Sequence, residues 1–177
     1  MSDELMEEVL PEESVNEVRS KMYMTFKCGR ETFGIEIRYV EEIIQYQNIT
    51  PVPEVEDYVK GLINLRGKII PVMDVRMRFG QESLPYTDRT CIIIINVKDT
   101  VVGLIVERIA EVVEIEEGDI VAPPSLTKEE RTQNKYVYGI GKVGEDVKLL
   151  LDPDKLIKDE DLSVLEQMSE ETLEEGD

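Results

Sequence analysis

The sequence predicts a mainly β protein, built as barrels or a sandwich and not as a βαβ sheet. Three stretches set strand-like apolar patterns on either side of a turn, by alternation in the first and by a continuous apolar run in the second, and helical periodicity is scarce. A length of 177 residues allows one ordinary domain or two small subdomains sharing a core, without staples.

The first hairpin runs from Lys21 to Ile37. Met22, Met24 and Phe26 alternate with Tyr23, Thr25 and Lys27, Gly29-Arg30 supplies the turn, and Phe33, Ile35 and Ile37 resume the alternation. The next stretch, "IRYVEEIIQY", places Ile37, Val40, Ile43 and Ile44 at helical spacing and predicts a short helix or helical turn. "VEDYVKGL" predicts a further turn of helix.

"GLINLRG" reads as an extended segment with Ile63 and Leu65 on one side and Leu62, Asn64 and Arg66 on the other. Gly61 and Gly67 permit unusual backbone angles or close approach at its ends. A guanidinium in such apolar surroundings needs an acceptor, and Glu41 and Glu42 on the expected helical turn are the candidates. Arg66 then either braces that turn or faces a partner; both readings stand at this point.

The segment "GQESLPYTDRT", residues 80–90, reads as the connection between two halves. The continuous apolar run from Cys91 to Val97 predicts a strand buried on both faces, returning through a turn at Lys98-Asp99. "AEVVEIEEGDIV" adds strand, and residues 122–134 have the composition of a loop. A third hairpin, "KYVYGIGKVGEDVKLLLD", turns near Gly144-Glu145-Asp146, which brings the total to nine or ten strands. Its "GIGKVG" spells a dinucleotide-binding motif, but two acids follow where phosphates would lie and a strand-like run replaces the required helix. Asp152 as N-cap and Pro153 at the first helical position predict a C-terminal helix. Leu156, Ile157, Leu162, Leu165 and Met168 form its partial apolar stripe.

The net charge of -19 is concentrated at the ends. Residues 1–18 carry seven acids and no base, and residues 159–177 carry nine and none, so the body between them is nearly neutral. The expected organisation is an acidic flexible tail over 1–18, a folded body over 19–158, and an acidic helix end and tail over 159–177. Such ends disfavour a phosphate backbone, so no nucleic-acid partner is expected.

Histidine is absent. That removes Ser-His and Cys-His activation, His-mediated phosphotransfer and most zinc-hydrolase designs. Cys28 and Cys91 are far apart in the chain and read as small buried hydrophobes in a reducing compartment, with no disulfide. The acidic pairs Glu41-Glu42, Glu116-Glu117 and Glu129-Glu130 lie in charge-rich stretches and read as solvated surface. No catalytic residue, cofactor or metal site is predicted; a carboxylate-based enzyme is the remote alternative. The N-terminus lacks a signal pattern and no apolar run approaches a membrane span, so a cytoplasmic protein without membrane insertion is expected.

Four segments resemble the CheW-like coupling proteins of bacterial chemotaxis: "FGIEIRYVEEI" (33–43), "GLINLRGKIIPVMDVRMRFG" (61–80), "TVVGLIVERIAEVVEI" (100–115) and "YGIGKVGEDVKLLLDPDKLI" (138–157). They occur in family order and spacing. The resemblance implies two packed five-stranded SH3-like β-barrels with short helices and a C-terminal helix, and no catalysis. It implies an adaptor that binds the cytoplasmic tip of chemoreceptors and the regulatory domain of the histidine kinase CheA, with other CheW-like domains as further partners in an array; with no receiver, ATPase or phosphotransfer segment recognisable, a free-standing adaptor is the simpler expectation. It also implies a location at membrane receptor arrays. By the same resemblance Val40, Glu42, Ile43, Arg66, Val101, Val102 and Gly103 face the receptor: Glu42 and Arg66 as an acidic and basic pair near that surface, and Val40, Ile43 and the Val101-Val102-Gly103 strand around the groove between the barrels. Pro51, Val52, Tyr58, Gly61 and Asn64 fall on the kinase side. A CheW-like adaptor serving another receptor–kinase pathway, such as surface motility, is the alternative.

Overall fold

The structure, a computed structural model, describes residues 19–123 and 135–157. The expectations for both acidic tails, for most of the 122–134 loop and for Leu162, Leu165 and Met168 lie outside the described residues. Eleven strands are seen among those described: β1 (Ser20–Cys28), β2 (Glu31–Glu36), β3 (Val40–Gln45), β4 (Val59–Leu65), β5 (Lys68–Asp74), β6 (Cys91–Val97), β7 (Thr100–Val106), β8 (Arg108–Glu116), β9 (Ile120–Val121), β10 (Val137–Val143) and β11 (Asp146–Leu151). Two one-turn helices accompany them, α1 (Val75–Arg78) and α2 (Pro153–Leu156).

The fold is mainly β, as the alternation predicts. One sheet has five strands in the order β3-β6-β7-β5-β4; the other has six, in the order β8-β1-β2-β11-β10-β9, the sixth being the two-residue β9. The three predicted hairpins form, with Cys28 opposite Glu31, Val97 opposite Thr100 and Val143 opposite Asp146. "GIGKVG" accordingly lies along β10 and into its turn.

Burial explains how the sheets stack. A central core takes Phe26, Phe33 and Ile35 from the six-stranded sheet and Ile93, Ile95, Val102 and Leu104 from the five-stranded one. Two smaller cores lie on the outer faces. Ile63, Ile70, Val72, Ile92, Ile94 and Ile105 form one; Tyr23, Val113, Ile115 and Leu150 form the other. Strands β6 and β7 are therefore apolar at successive positions because each face meets a different core. In the five-stranded sheet the two edges also meet: Thr50, just beyond β3, exchanges two backbone hydrogen bonds of 2.8 Å with Leu62 of β4.

Three expectations are corrected. "IRYVEEIIQY" is not a helix beyond a three-residue 3-10 turn at Ile37–Tyr39; β3 follows at once. A β-bulge between Val40 and Glu42 inserts one residue, so Val40 and Ile43 face the central core three positions apart and imitate helical spacing. The segment "VEDYVKGL" is turn followed by β4, without helix. Residues 80–90 do not join two halves, because α1 follows β5 and β6 succeeds the loop, all within one sheet. The chain changes sheets at Ile37–Tyr39 and again at Glu107, between β7 and β8. At the C-terminus Asp152 caps α2 by accepting from the Asp154 N–H, with Pro153 at its start, as the sequence predicts.

Candidate functional site

Arg66 does not lie on a strand. Leu65 pairs with Lys68, so Arg66-Gly67 is a two-residue hairpin turn, with φ +53 at Arg66 and +87 at Gly67. Both central residues at positive φ describe the turn that matches strand twist, and the glycine occupies the second position without strain. Asn64 belongs to this turn, its Oδ1 accepting the Gly67 N–H at 2.8 Å. The predicted sharing of a face by Asn64 and Arg66 therefore gives way: Asn64 folds back on the turn while Arg66 reaches across to Glu42.

The guanidinium donates to the Glu42 carboxylate, which settles the choice between Glu41 and Glu42. Glu41 instead accepts from the Asn96 amide. Since Glu42 sits on β3 and Arg66 follows β4, the ion pair spans the two edges of the five-stranded sheet beside the Thr50–Leu62 bridge. The Arg66 side chain is 70% exposed, so the arginine is no core residue and water screens the pair.

Val40 and Ile43 are half-buried and border the central core from outside. Val102 and Gly103 do not offer a groove surface, whereas Val101 is half-buried like Val40 and Ile43. Val102 is fully buried in the central core, and Gly103 and half-buried Val101 face the outer core of their own sheet. A Cβ at Gly103 would come within 2.6 Å of Val72 Cγ1, so that position serves close packing.

On the other side, Pro51 is exposed, while Val52 and Tyr58 are half-buried against the central core. Gly61 is buried, which removes it as a contact residue. Its φ is +142, and a Cβ there would stand 2.0 Å from the Thr50 carbonyl oxygen; the position must be glycine for the two edges to meet.

Sequence reasoning missed an exposed apolar patch on β1 and β8. Met22 is 45% exposed and Val112 46%, and half-buried Met24 pairs with Val112. A hollow of about 580 Å³ beside them is lined by Lys21, Met22, Glu36, Ile37 and Arg38. Buried Glu36 accepts from Arg38 Nε at 3.2 Å and pairs with Lys21 Nζ at 3.4 Å. The signal was present in β1, where Met22 and Met24 share the face of Phe26 but lie further from the core.

Burial pushes the Tyr23 and Tyr138 hydroxyls, which hydrogen-bond each other, above their ordinary value, so both stay protonated at neutral pH. Burial likewise pushes the Cys28 thiol up to about 12. Among the described residues no cluster of three Cys, Asp or Glu is arranged to hold a metal, and no helix is long and apolar enough to cross a membrane.

Comparison with known proteins agrees with this geometry. The family model described as "CheW-like domain" matches residues 22–161. The chemotaxis protein CheW of Klebsiella aerogenes is 31% identical over 147 residues, covering 83% of this chain and 87% of that protein. The chemotaxis protein CheW of Treponema pallidum is 33% identical over 146 residues, covering 80% of this chain and 85% of the relative. Among solved structures, the scaffolding protein TtCheW from Thermoanaerobacter tengcongensis superposes with a TM-score of 0.72 at 32% identity, covering 81% of this chain and 96% of that one. A match of this extent, on a fold of two stacked sheets joined as described, makes the chain a member of the CheW-like family.

Proposed function

We propose that this protein is a non-catalytic coupling adaptor of chemotaxis signalling, holding the cytoplasmic tip of a chemoreceptor and the regulatory domain of the kinase CheA together beneath the membrane. The observation that carries the reading is the family match across nearly the whole described body. Val40, Ile43, Glu42 and Arg66 make the receptor side, with Met22, Met24 and Ile37 extending its apolar strip. A receptor tip is a helical hairpin, and an apolar helix face docks on such a strip while the flanking charges set its register. Pro51, Val52, Tyr58 and Asn64 make the kinase side. Val102, Gly103 and Gly61 support these surfaces from within the fold and touch neither partner.

Such an adaptor performs no reaction. It passes a signal only if its contacts differ in free energy between kinase states, which makes the geometry between its two faces the functional quantity. The test is a binding measurement by calorimetry with the full chain, using a receptor cytoplasmic fragment and the CheA regulatory domain separately and together. Binding to both, singly and in one complex, is expected; binding to neither refutes the reading.

A further inference from the structure

Arg78 is a charged side chain deep in the molecule, 6% exposed, at the end of α1. Its guanidinium carbon lies 4.6 Å from the Tyr58 ring centroid and 4.7 Å from that of Tyr136. Nε donates to the Leu156 carbonyl at 2.7 Å, and Nη1 to the Tyr136 hydroxyl at 3.0 Å. These neighbours come from three separate parts of the chain. Tyr58 closes the segment between β3 and β4, Tyr136 enters β10 of the other sheet, and Leu156 ends α2.

Each neighbour is itself tied down. The Asp74 N–H donates to the Tyr58 carbonyl at 2.8 Å, and the Asp152 N–H to that of Tyr136 at 2.7 Å. Leu156 and Ile157 are fully buried in the central core. A guanidinium is planar with fixed donor directions, so ring contacts and the carbonyl bond constrain one another; an ammonium on a flexible stem does neither. Moving Leu156 or Tyr136 must shift the guanidinium, and the guanidinium carries the Tyr58 ring.

We propose that Arg78 is a positioning residue that couples the 51–58 segment to the C-terminal turn at 152–157, so that the kinase-facing surface is set jointly by both sheets. The consequence for binding rests on the kinase-side reading above; the coupling does not. Amide hydrogen exchange on the full chain tests the coupling with Arg78→Lys, Leu156→Ala and the double variant. Each single substitution should speed exchange over 52–58 by about fivefold or more, the lower range of coupling between sites, beyond whatever acceleration the β6 and β7 amides show from the general cost of a substitution in the central core. In the Arg78→Lys background, Leu156→Ala should add nothing at 52–58.

An unchanged 52–58 segment in Leu156→Ala, or effects that multiply in the double variant, overturns the proposal. So does equal acceleration in β6 and β7, which would make Arg78 a general stabiliser. Tyr136→Phe is the mild control: it removes one hydroxyl, keeps the ring, and should shift 52–58 in the same direction by less. In binding, Arg78→Lys should weaken the CheA regulatory domain by roughly tenfold and leave the receptor fragment within about twofold. If the unsubstituted chain fails to bind the kinase domain, the kinase-side reading falls and the exchange experiment still decides the coupling.

Discussion

Replacing Gly61 by alanine tests the closure of the five-stranded sheet. The added Cβ would sit 2.0 Å from the Thr50 carbonyl oxygen and 2.9 Å from the Pro51 Cα, both backbone atoms that cannot rotate away. Relief requires pulling Thr50 off β4, which breaks two backbone hydrogen bonds of 2.8 Å, each worth about 0.5–1.5 kcal/mol net. Holding a non-glycine residue at φ +142 adds strain of order 1–3 kcal/mol. Both costs together come to roughly 2–6 kcal/mol, because the chain can escape part of one only by paying more of the other. For a domain of this size that lowers Tm by roughly 4–24 °C. Urea denaturation followed by circular dichroism reads the change as a shift in midpoint at constant slope. A loss under about 0.5 kcal/mol would refute the reasoning, since it would mean that Thr50 and Leu62 separate freely.

Two further outcomes follow from the same geometry. Arg66→Gly removes an exposed ion pair worth about 0–1 kcal/mol and relieves a side chain from positive φ, so stability should stay within roughly 1 kcal/mol. Calorimetry should then show weakened binding to the receptor fragment alone; unchanged binding to both partners would leave Arg66 a local brace. For the thiols, Cys28 is buried and its folded value of about 12 lies above the ordinary 9, so the fold favours the neutral form. That contribution is complete below pH 9 and lost as pH rises from 9 towards 12. Iodoacetamide at pH 8 should therefore label half-buried Cys91 and spare Cys28 in the folded protein, and peptide mapping that found Cys28 labelled first would contradict this.

Local pattern sufficed where one face of a strand meets one core. The hairpin at Gly29-Arg30 is legible because alternation and turn residues coincide, and the strand pair around Lys98-Asp99 because a continuous apolar run ends at turn residues. The cap at Asp152 was legible because it depends on its immediate neighbours. Where an irregularity changes the phase of the pattern, reading failed. The bulge at Val40–Glu42 turned a strand into an apparent helix, and no property of "VEEII" announces an inserted residue. Arg66 was read as a strand residue because Arg-Gly is an uncommon turn sequence. Yet its partner Glu42 was anticipated, since a guanidinium with few acceptors in reach leaves few choices. The burial of Val102 and Gly103 depends on which of three cores each face meets, a tertiary property that no local window contains.

Val40 to Ile43 of one proposed face and Pro51 to Tyr58 of the other lie on one continuous stretch of chain, and that arrangement bears on how an adaptor can work. Contact free energy at Val40 and Ile43 reaches a partner at Pro51 and Tyr58 only if the intervening segment resists deformation; a slack connection would absorb the difference between receptor states. Three features oppose slack here. Thr50 is bonded to Leu62 on both sides of its peptide, the Tyr58 carbonyl is held by the Asp74 N–H, and the Tyr58 ring lies on Arg78. None of these needs to touch a partner. Buried Gly61, which the Thr50 bridge requires, and buried Arg78 therefore belong to the coupling machinery as much as the exposed residues do. Their substitution should reproduce the loss of a contact residue while leaving every contact side chain in place.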